Sequence, residues 1–179
     1  ENGVVYVHSI GTNQNNEKVI DYKRWVMVRK KNKKLNKVES SVPELSDEVS
    51  KHEIIKIAKE YNFNCDNFNF KESGSSLVFE DYTVNEKINH IDGITIESAE
   101  HMMATKLYQN NAKVHFNQFV EKSGRFGRRI VYGGHVISLT RALSFNGLSN
   151  VFKIVAINGG THASPCFTGM TVFAWSKIL

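Results

Sequence analysis

The stretch IVYGGHVISLTRALSFNGL, residues 130 to 148, limits the possible folds more than any other part of the chain. From Gly134 to Phe145 only Arg141 is strongly charged, while Val136, Ile137, Leu139, Ala142, Leu143 and Phe145 leave little polar face. Such a helix needs other structure wrapped around it, and it is too short to span a membrane. Asn146-Gly147 predicts its stop, because glycine enters the left-handed region without a Cβ clash. At the other end, Gly133 and Gly134 allow a ligand close to the backbone, and a helix starting there offers unpaired N–H groups to an electron-rich oxygen. The same residues also fit a plain strand-to-helix turn with no ligand, so the flanking segments must decide.

With 179 residues and 41% hydrophobic content, the chain can build the core of one ordinary soluble domain, or of one domain plus part of another. No apolar run reaches membrane-spanning length, and no charged segment followed by an apolar one opens the chain, so neither insertion nor secretion is indicated. Cys65 and Cys166 have no C-x-x-C spacing, which predicts two free thiols, no cysteine-based zinc site and a cytoplasmic location. The net charge of +5 is concentrated in RKKNKKLNK, residues 29 to 37, without interleaved aromatics. It reads as a solvated connector, and no nucleic-acid or membrane partner is expected. The chain begins close to a strand pattern and stops inside an apolar stretch, which predicts a piece of a longer protein.

Residues 3 to 11 and 18 to 29 are rich in β-branched and aromatic side chains around the polar turn TNQNNE, which predicts a β-hairpin. Lys30 to Ser50 is polar and contains Pro43, and a domain boundary is expected there. Ser46 or Asp47 would cap an amphipathic helix with Ile54, Ile55, Ile57, Ala58 and Tyr61 on one side. Residues 62 to 76 read as irregular chain. A strand is expected around FEDYTVNEKINHI, then Thr95 as the cap of a helix from Ile96 to Tyr108 that buries Ala99, Met102, Met103 and Leu107. Two more strands are expected at 151 to 158 and 171 to 178. Hairpin, connector, strand, helix, loop, buried helix and two strands make the chain α+β, with helices on one face of an antiparallel sheet.

His115 is the ionisable group of most interest. It lies in the loop YQNNAKVHFNQ just before the glycine turn, flanked by Asn110, Asn111 and Asn117. An imidazole moves protons near neutral pH, and a carboxamide can orient a water without taking its proton. A histidine bonded for structural reasons fits the loop as well. The seven histidines show no H-x-x-x-H or H-x-H spacing, so no metal is expected.

Taken together, YQNNAKVHFNQ, GRFGRRIVYGGHVISLTRALSFNGL and AINGGTHASPCFTGMTV resemble the MaoC-like dehydratases of the hot-dog fold, in which an antiparallel sheet wraps one long buried helix. Within that family the chain most resembles the tandem-domain mesaconyl-CoA hydratases, also called β-methylmalyl-CoA dehydratases. The resemblance implies a fragment of a double hot-dog. Residues 1–30 would be the closing hairpin of a first unit, 31–76 a connector with one amphipathic helix, and 77–179 a second unit truncated at its C-terminus. Two positions depart from the family pattern. Asn110 stands five residues before the histidine where many members carry Asp, a substitution that looks usual in the tandem branch. Gly169-Met170-Thr171 replaces the family's G-D-T turn.

The resemblance implies reversible syn addition of water to an enoyl-CoA, with no cofactor beyond the CoA thioester substrate. In that reading His115 is the catalytic acid/base and Asn110 holds the water. Tyr132, Gly133, Gly134, Asn117 and Arg128 bind substrate, the glycine N–H groups meeting the thioester oxygen. A branched dicarboxyl acyl group such as mesaconyl is implied, with Arg125, Arg128 and Arg129 as candidates for its carboxylate or for CoA phosphates. The family also implies pairing of hot-dog units, within one chain or in a homodimer. The alternative expectation is a non-catalytic acyl-CoA-binding or structural hot-dog unit.

Overall fold

Alternating β-branched and aromatic residues form a long hairpin from β1 (Asn2–Thr12) and β2 (Lys18–Arg29), paired antiparallel in the computed structural model. Its turn is set by Asn13, whose Oδ1 accepts the N–H of Asn15 at 2.9 Å and of Glu17 at 3.1 Å, while Asn16 takes φ +61°. Tyr6 meets Trp25 edge-on across the strands. The structure describes residues 2–32, 44, 50–60, 66–70, 72–151 and 153–179. The chain divides into two units, Glu1–Ser46 and Asp47–Leu179.

Helix α1 (Lys51–Glu60) follows a cap at Ser50, and the expected caps Ser46 and Asp47 lie outside the described residues. Ser50 Oγ accepts the Glu53 N–H while the Glu53 carboxylate accepts the Ser50 N–H, a reciprocal cap at 3.2 Å each way. Ile54 and Ile55 are partly exposed, and the side chains of Ile57, Ala58 and Tyr61 lie outside the described residues.

The second unit packs α5 (Gly133–Leu143) on an antiparallel pair, β3 (Lys87–Thr95) and β4 (Thr171–Lys177). The expected strand at residues 79 to 91 therefore begins later, and Phe79–Asp81 is a single tight helical turn. In β3, His90, Ile91 and Asp92 together face one residue of β4, and Ile91 takes φ +60°. This bulge re-aims His90 inward, where it is fully buried. The second expected strand, 151 to 158, joins no ladder among the described residues. β-branched residues form a strand only where a neighbour offers backbone partners.

Helix α2 (Ser98–Leu107) corrects two expectations. Thr95 stays in β3, its hydroxyl bonded to that of Thr171 at 2.9 Å, and Glu97 occupies the cap position. The buried row is His101 and Thr105, one turn apart, while Met103 and Leu107 are about 70% exposed. The helix turns an imidazole and a hydroxyl inward, so apolar periodicity could not reveal its inner face. Short helices α3 (Lys113–Phe116) and α4 (Gln118–Glu121) follow.

At its far end α5 stops as expected. Gly147 takes φ +106° within the short turn α6 (Phe145–Leu148), and a Cβ there would strike Ile88. Within this unit the sheet covers one side of α5 only, so Leu143 is buried while Ile137 remains 56% exposed. Ile96, Val131, Leu143 and Phe167 are the buried apolar residues among those described. No described helix is long and apolar enough to cross a membrane.

Candidate active site

Three consecutive residues lead into α5, and each is tied to a different part of the unit. The Ile130 N–H reaches the Val114 carbonyl at 3.0 Å, the Val131 N–H the Cys166 carbonyl at 2.8 Å, and the Tyr132 N–H the Nε2 of His101 at 2.9 Å. The Ile130 carbonyl in turn accepts from Nδ1 of His115 at 3.0 Å. A carbonyl oxygen can only accept, so Nδ1 of His115 carries the hydrogen of the neutral ring and Nε2 is then the nitrogen with the lone pair. The expected base is thereby fastened to the strap that enters the helix. Its ring also stands edge-on to Tyr132, with centroids 5.9 Å apart.

The carbonyl of Tyr132 closes the first turn by accepting from His135 at 3.0 Å and Val136 at 3.4 Å. The N–H groups of Gly133 and Gly134 have no acceptor among the described residues, as expected of the first positions of a helix. Both glycines stand where a Cβ would meet a neighbouring ring. A Cβ on Gly134 would collide with the Tyr132 ring, and one on Gly133 with the imidazole of His162.

The other expected site residues are placed as follows. Asn110 makes a local turn in which its Oδ1 accepts the Ala112 N–H at 3.0 Å, which leaves its amide hydrogens as the groups free to meet a water. Asn117, expected on substrate, caps α4 with its Oδ1, which accepts the Val120 N–H at 3.1 Å. Arg129 is tied back to α2 through Ser98 Oγ at 3.1 Å and the Met102 sulfur. Arg128 and Arg125 stay exposed, lying 4.0 Å over the Phe167 ring and 5.1 Å over Phe126, and those two rings meet edge-on. A groove of about 560 Å³ beside α5 is lined by Val136, Ile137, Thr140, Arg141 and His162 and does not include His115.

Sequence reasoning missed His101. It is 1% exposed, and burial first, then the positive or potentially positive Arg129, His115 and His135, push its pKa down to about 4. It is therefore a neutral acceptor at pH 7. Its ring lies 6.5 Å from that of His135. The only sequence signal was its one-turn spacing from Thr105. The sequence reading of His162 as a structural histidine could not show its closeness to Gly133, which is invisible without coordinates. Met170 supplies backbone alone: its carbonyl accepts from Ile96 at 2.9 Å, and the preceding Gly169 takes φ +87°. The turn thus works without the family's Asp. Cys166 is a free thiol, and Cys65 lies outside the described residues, as does most of the lysine-rich run. Among the described residues no three His, Cys, Asp or Glu side chains gather as a metal site would need.

Comparison with known proteins finds similarity in both sequence and structure. The chain is 55% identical over 99% of its length to a β-methylmalyl-CoA dehydratase of Chloroflexus aurantiacus. It is 48% identical over 99% of its length to a mesaconyl-CoA hydratase of Cereibacter sphaeroides. A crystal structure described as a MaoC domain protein dehydratase from Chloroflexus aurantiacus superposes with a TM-score of 0.90 at 55% identity, over 98% of this chain and 49% of that one. The chain spans about half the length of the relatives it matches, 49% and 50%. No family model matches it.

Proposed function

We propose, on the premise that this chain is homologous almost from end to end to MaoC-type dehydratases of the hot-dog fold, that it carries the active site of an enoyl-CoA hydratase. The observation that carries the reading is the strap at Ile130. One carbonyl fixes the His115 tautomer with Nε2 free, three residues before a helix start with two unpaired N–H groups.

The reaction follows from that arrangement. The thioester oxygen accepts from Gly133 or Gly134, so charge that builds there as the enolate forms is stabilised by donors already in place. Nε2 of His115 takes a proton from water as the water oxygen bonds to the β carbon and the C=C electrons move toward the thioester oxygen. The same imidazolium then gives its proton to the α carbon. One base working from one face gives syn addition, and dehydration is the reverse. The Asn110 amide hydrogens orient the water, and no cofactor is required.

The names of the two relatives point to a branched dicarboxyl acyl group, mesaconyl in the hydration direction. Arg125 and Arg128 are the arginines of the SGRFGRR turn left free for its carboxylate or for CoA phosphates. A second hot-dog unit, in the same chain or in another copy, is the expected partner.

Loss of enoyl-thioester absorbance on hydration of mesaconyl-CoA provides the test. His115→Ala should lower turnover about 10²–10⁴-fold, with a melting temperature shifted by only a few degrees. Full turnover in that variant overturns the assignment. One observation favours a second reading, an acyl-CoA-binding unit without chemistry: the Asn110 oxygen is spent on its own loop. Tight CoA-ester binding by the wild type with an unchanged enoyl spectrum would establish that reading instead.

A further inference from the structure

We propose that His101 is a positioning residue for this site, its Nε2 holding the Tyr132 N–H and thereby setting the direction in which the Gly133 and Gly134 N–H groups point. The inference rests on the reaction proposed above, but it is carried by separate observations. Tyr132 occupies the cap position of α5, with φ −59° and ψ 124°, and has no side-chain cap bond. An ordinary cap would fix the first turn with a Ser, Thr, Asp or Asn oxygen. Here the turn is fixed from outside, by an imidazole on α2.

Of the three N–H groups on the strap, those of Ile130 and Val131 go to backbone carbonyls, whereas that of Tyr132 goes to a side chain. Backbone acceptors are indifferent to side-chain identity, so the last link before the glycines is the one that sequence can alter. Rotation about the Tyr132 backbone would swing both following N–H groups away from a common target. Displacements on the order of 1 Å are enough to lower turnover about a hundredfold. His101 touches no substrate atom in this scheme and acts only through Tyr132.

The bond requires an unprotonated Nε2, because an imidazolium would oppose one donor with another. Arg129 in the loop before α5, His115 on α3 and His135 on α5 all disfavour a proton on His101, in addition to its burial. Thr105 adds a hydroxyl bond to the His101 carbonyl at 2.8 Å, which anchors the residue's own backbone.

Two variants separate positioning from bulk. His101→Leu removes the acceptor and keeps an apolar filling, while His101→Gln offers an amide oxygen to the same N–H. On mesaconyl-CoA, His101→Leu should lower kcat about tenfold to a hundredfold with KM little changed, and His101→Gln should recover most of the loss. Equal losses in both variants, or an unchanged kcat in the Leu variant, would overturn the proposal. A readout independent of turnover keeps it distinct from the hydratase assignment. In 15N spectra of the protein without substrate, the Gly133 and Gly134 amide signals should move in the Leu variant and return in the Gln variant. The wild-type His101 Nε2 should carry the shift of an unprotonated nitrogen at pH 7. Glycine signals that do not move, or a protonated Nε2, would overturn the inference even if the protein hydrates mesaconyl-CoA. The expected spectra would uphold it even if the protein hydrated nothing.

Discussion

The two ends of the α5–α6 run are each gripped by a buried histidine, in opposite senses. At the start, His101 accepts the N–H of Tyr132 and leaves the next two donors free. At the far end, His90 Nδ1 donates to the Asn146 carbonyl at 2.5 Å while its Nε2 meets the Ser176 hydroxyl at 2.8 Å. The Asn146 amide gives to the His90 carbonyl at 3.2 Å and to Asp92 at 2.5 Å, and the Tyr82 hydroxyl gives to the Gly147 carbonyl at 2.9 Å. Burial, with the nearby Asp81 and Glu86 carboxylates, pushes the Tyr82 pKa up, so that hydroxyl keeps the proton it donates. A closed end with its groups paired holds the fold together. The open end keeps two N–H groups without an acceptor among the described residues, and under the proposed function these are the donors that meet the thioester.

The largest effect that would sharpen this contrast is at the open end. Gly133→Ala puts a Cβ into the His162 ring, which lies on an exposed loop and can give way, at the cost of the geometry around the free donors. Turnover should fall about 10²–10³-fold, as when one oxyanion donor is lost, while urea unfolding moves little. At the closed end the signature should invert. His90→Leu should lower stability by about 1–3 kcal/mol, because it leaves the Asn146 carbonyl and the half-buried Ser176 hydroxyl without their partner. The folded fraction should keep near-normal turnover per molecule. If either variant showed the other's pattern, the division of labour would be wrong.

A smaller effect comes from pH. The unfolded chain protonates His101 near its ordinary value of 6.5, but the fold resists the proton down to about 4. Across that window the unfolded state binds more protons, so stability falls as pH falls, by at most about 1.4 kcal/mol per unit from this group. Above pH 6.5 His101 contributes no slope. Melting curves from pH 7 to 4.5 should therefore be flatter for His101→Gln than for the wild type, and identical slopes would contradict the assignment of His101 as a neutral acceptor. The smallest effect belongs to Asn110→Asp, which keeps an oxygen for the Ala112 N–H and restores the residue many MaoC-like dehydratases carry. Turnover should change by less than about tenfold, and a collapse would mean that the Asn110 amide hydrogens are needed.

The closed end was more legible in the sequence than the open one. Asn146-Gly147 announced the stop because positive φ is written in the residue type, and alternating apolar residues around TNQNNE announced the hairpin for an equally local reason. His115 and the glycine pair were legible as types, and the motif resemblance set them side by side. What escaped depended on contacts distant in sequence. His101 and Thr105 form the buried row of α2, yet neither registers as core in a search for apolar periodicity. His162 meets Gly133 from a loop 29 positions away. The segment 151 to 158 has strand composition, yet its described residues join no ladder, since a ladder is a property of two segments and not of one.

A crystal structure with a saturated, unreactive analogue of the acyl-CoA bound would show whether the imidazole at position 115 and the amides at 133 and 134 act on one thioester. The thioester oxygen should lie about 3 Å from a glycine amide nitrogen, with Nε2 of His115 facing the α and β carbons on one side of the acyl chain. A thioester bound away from the start of α5, or one with His115 on neither carbon, would rule out this shared action.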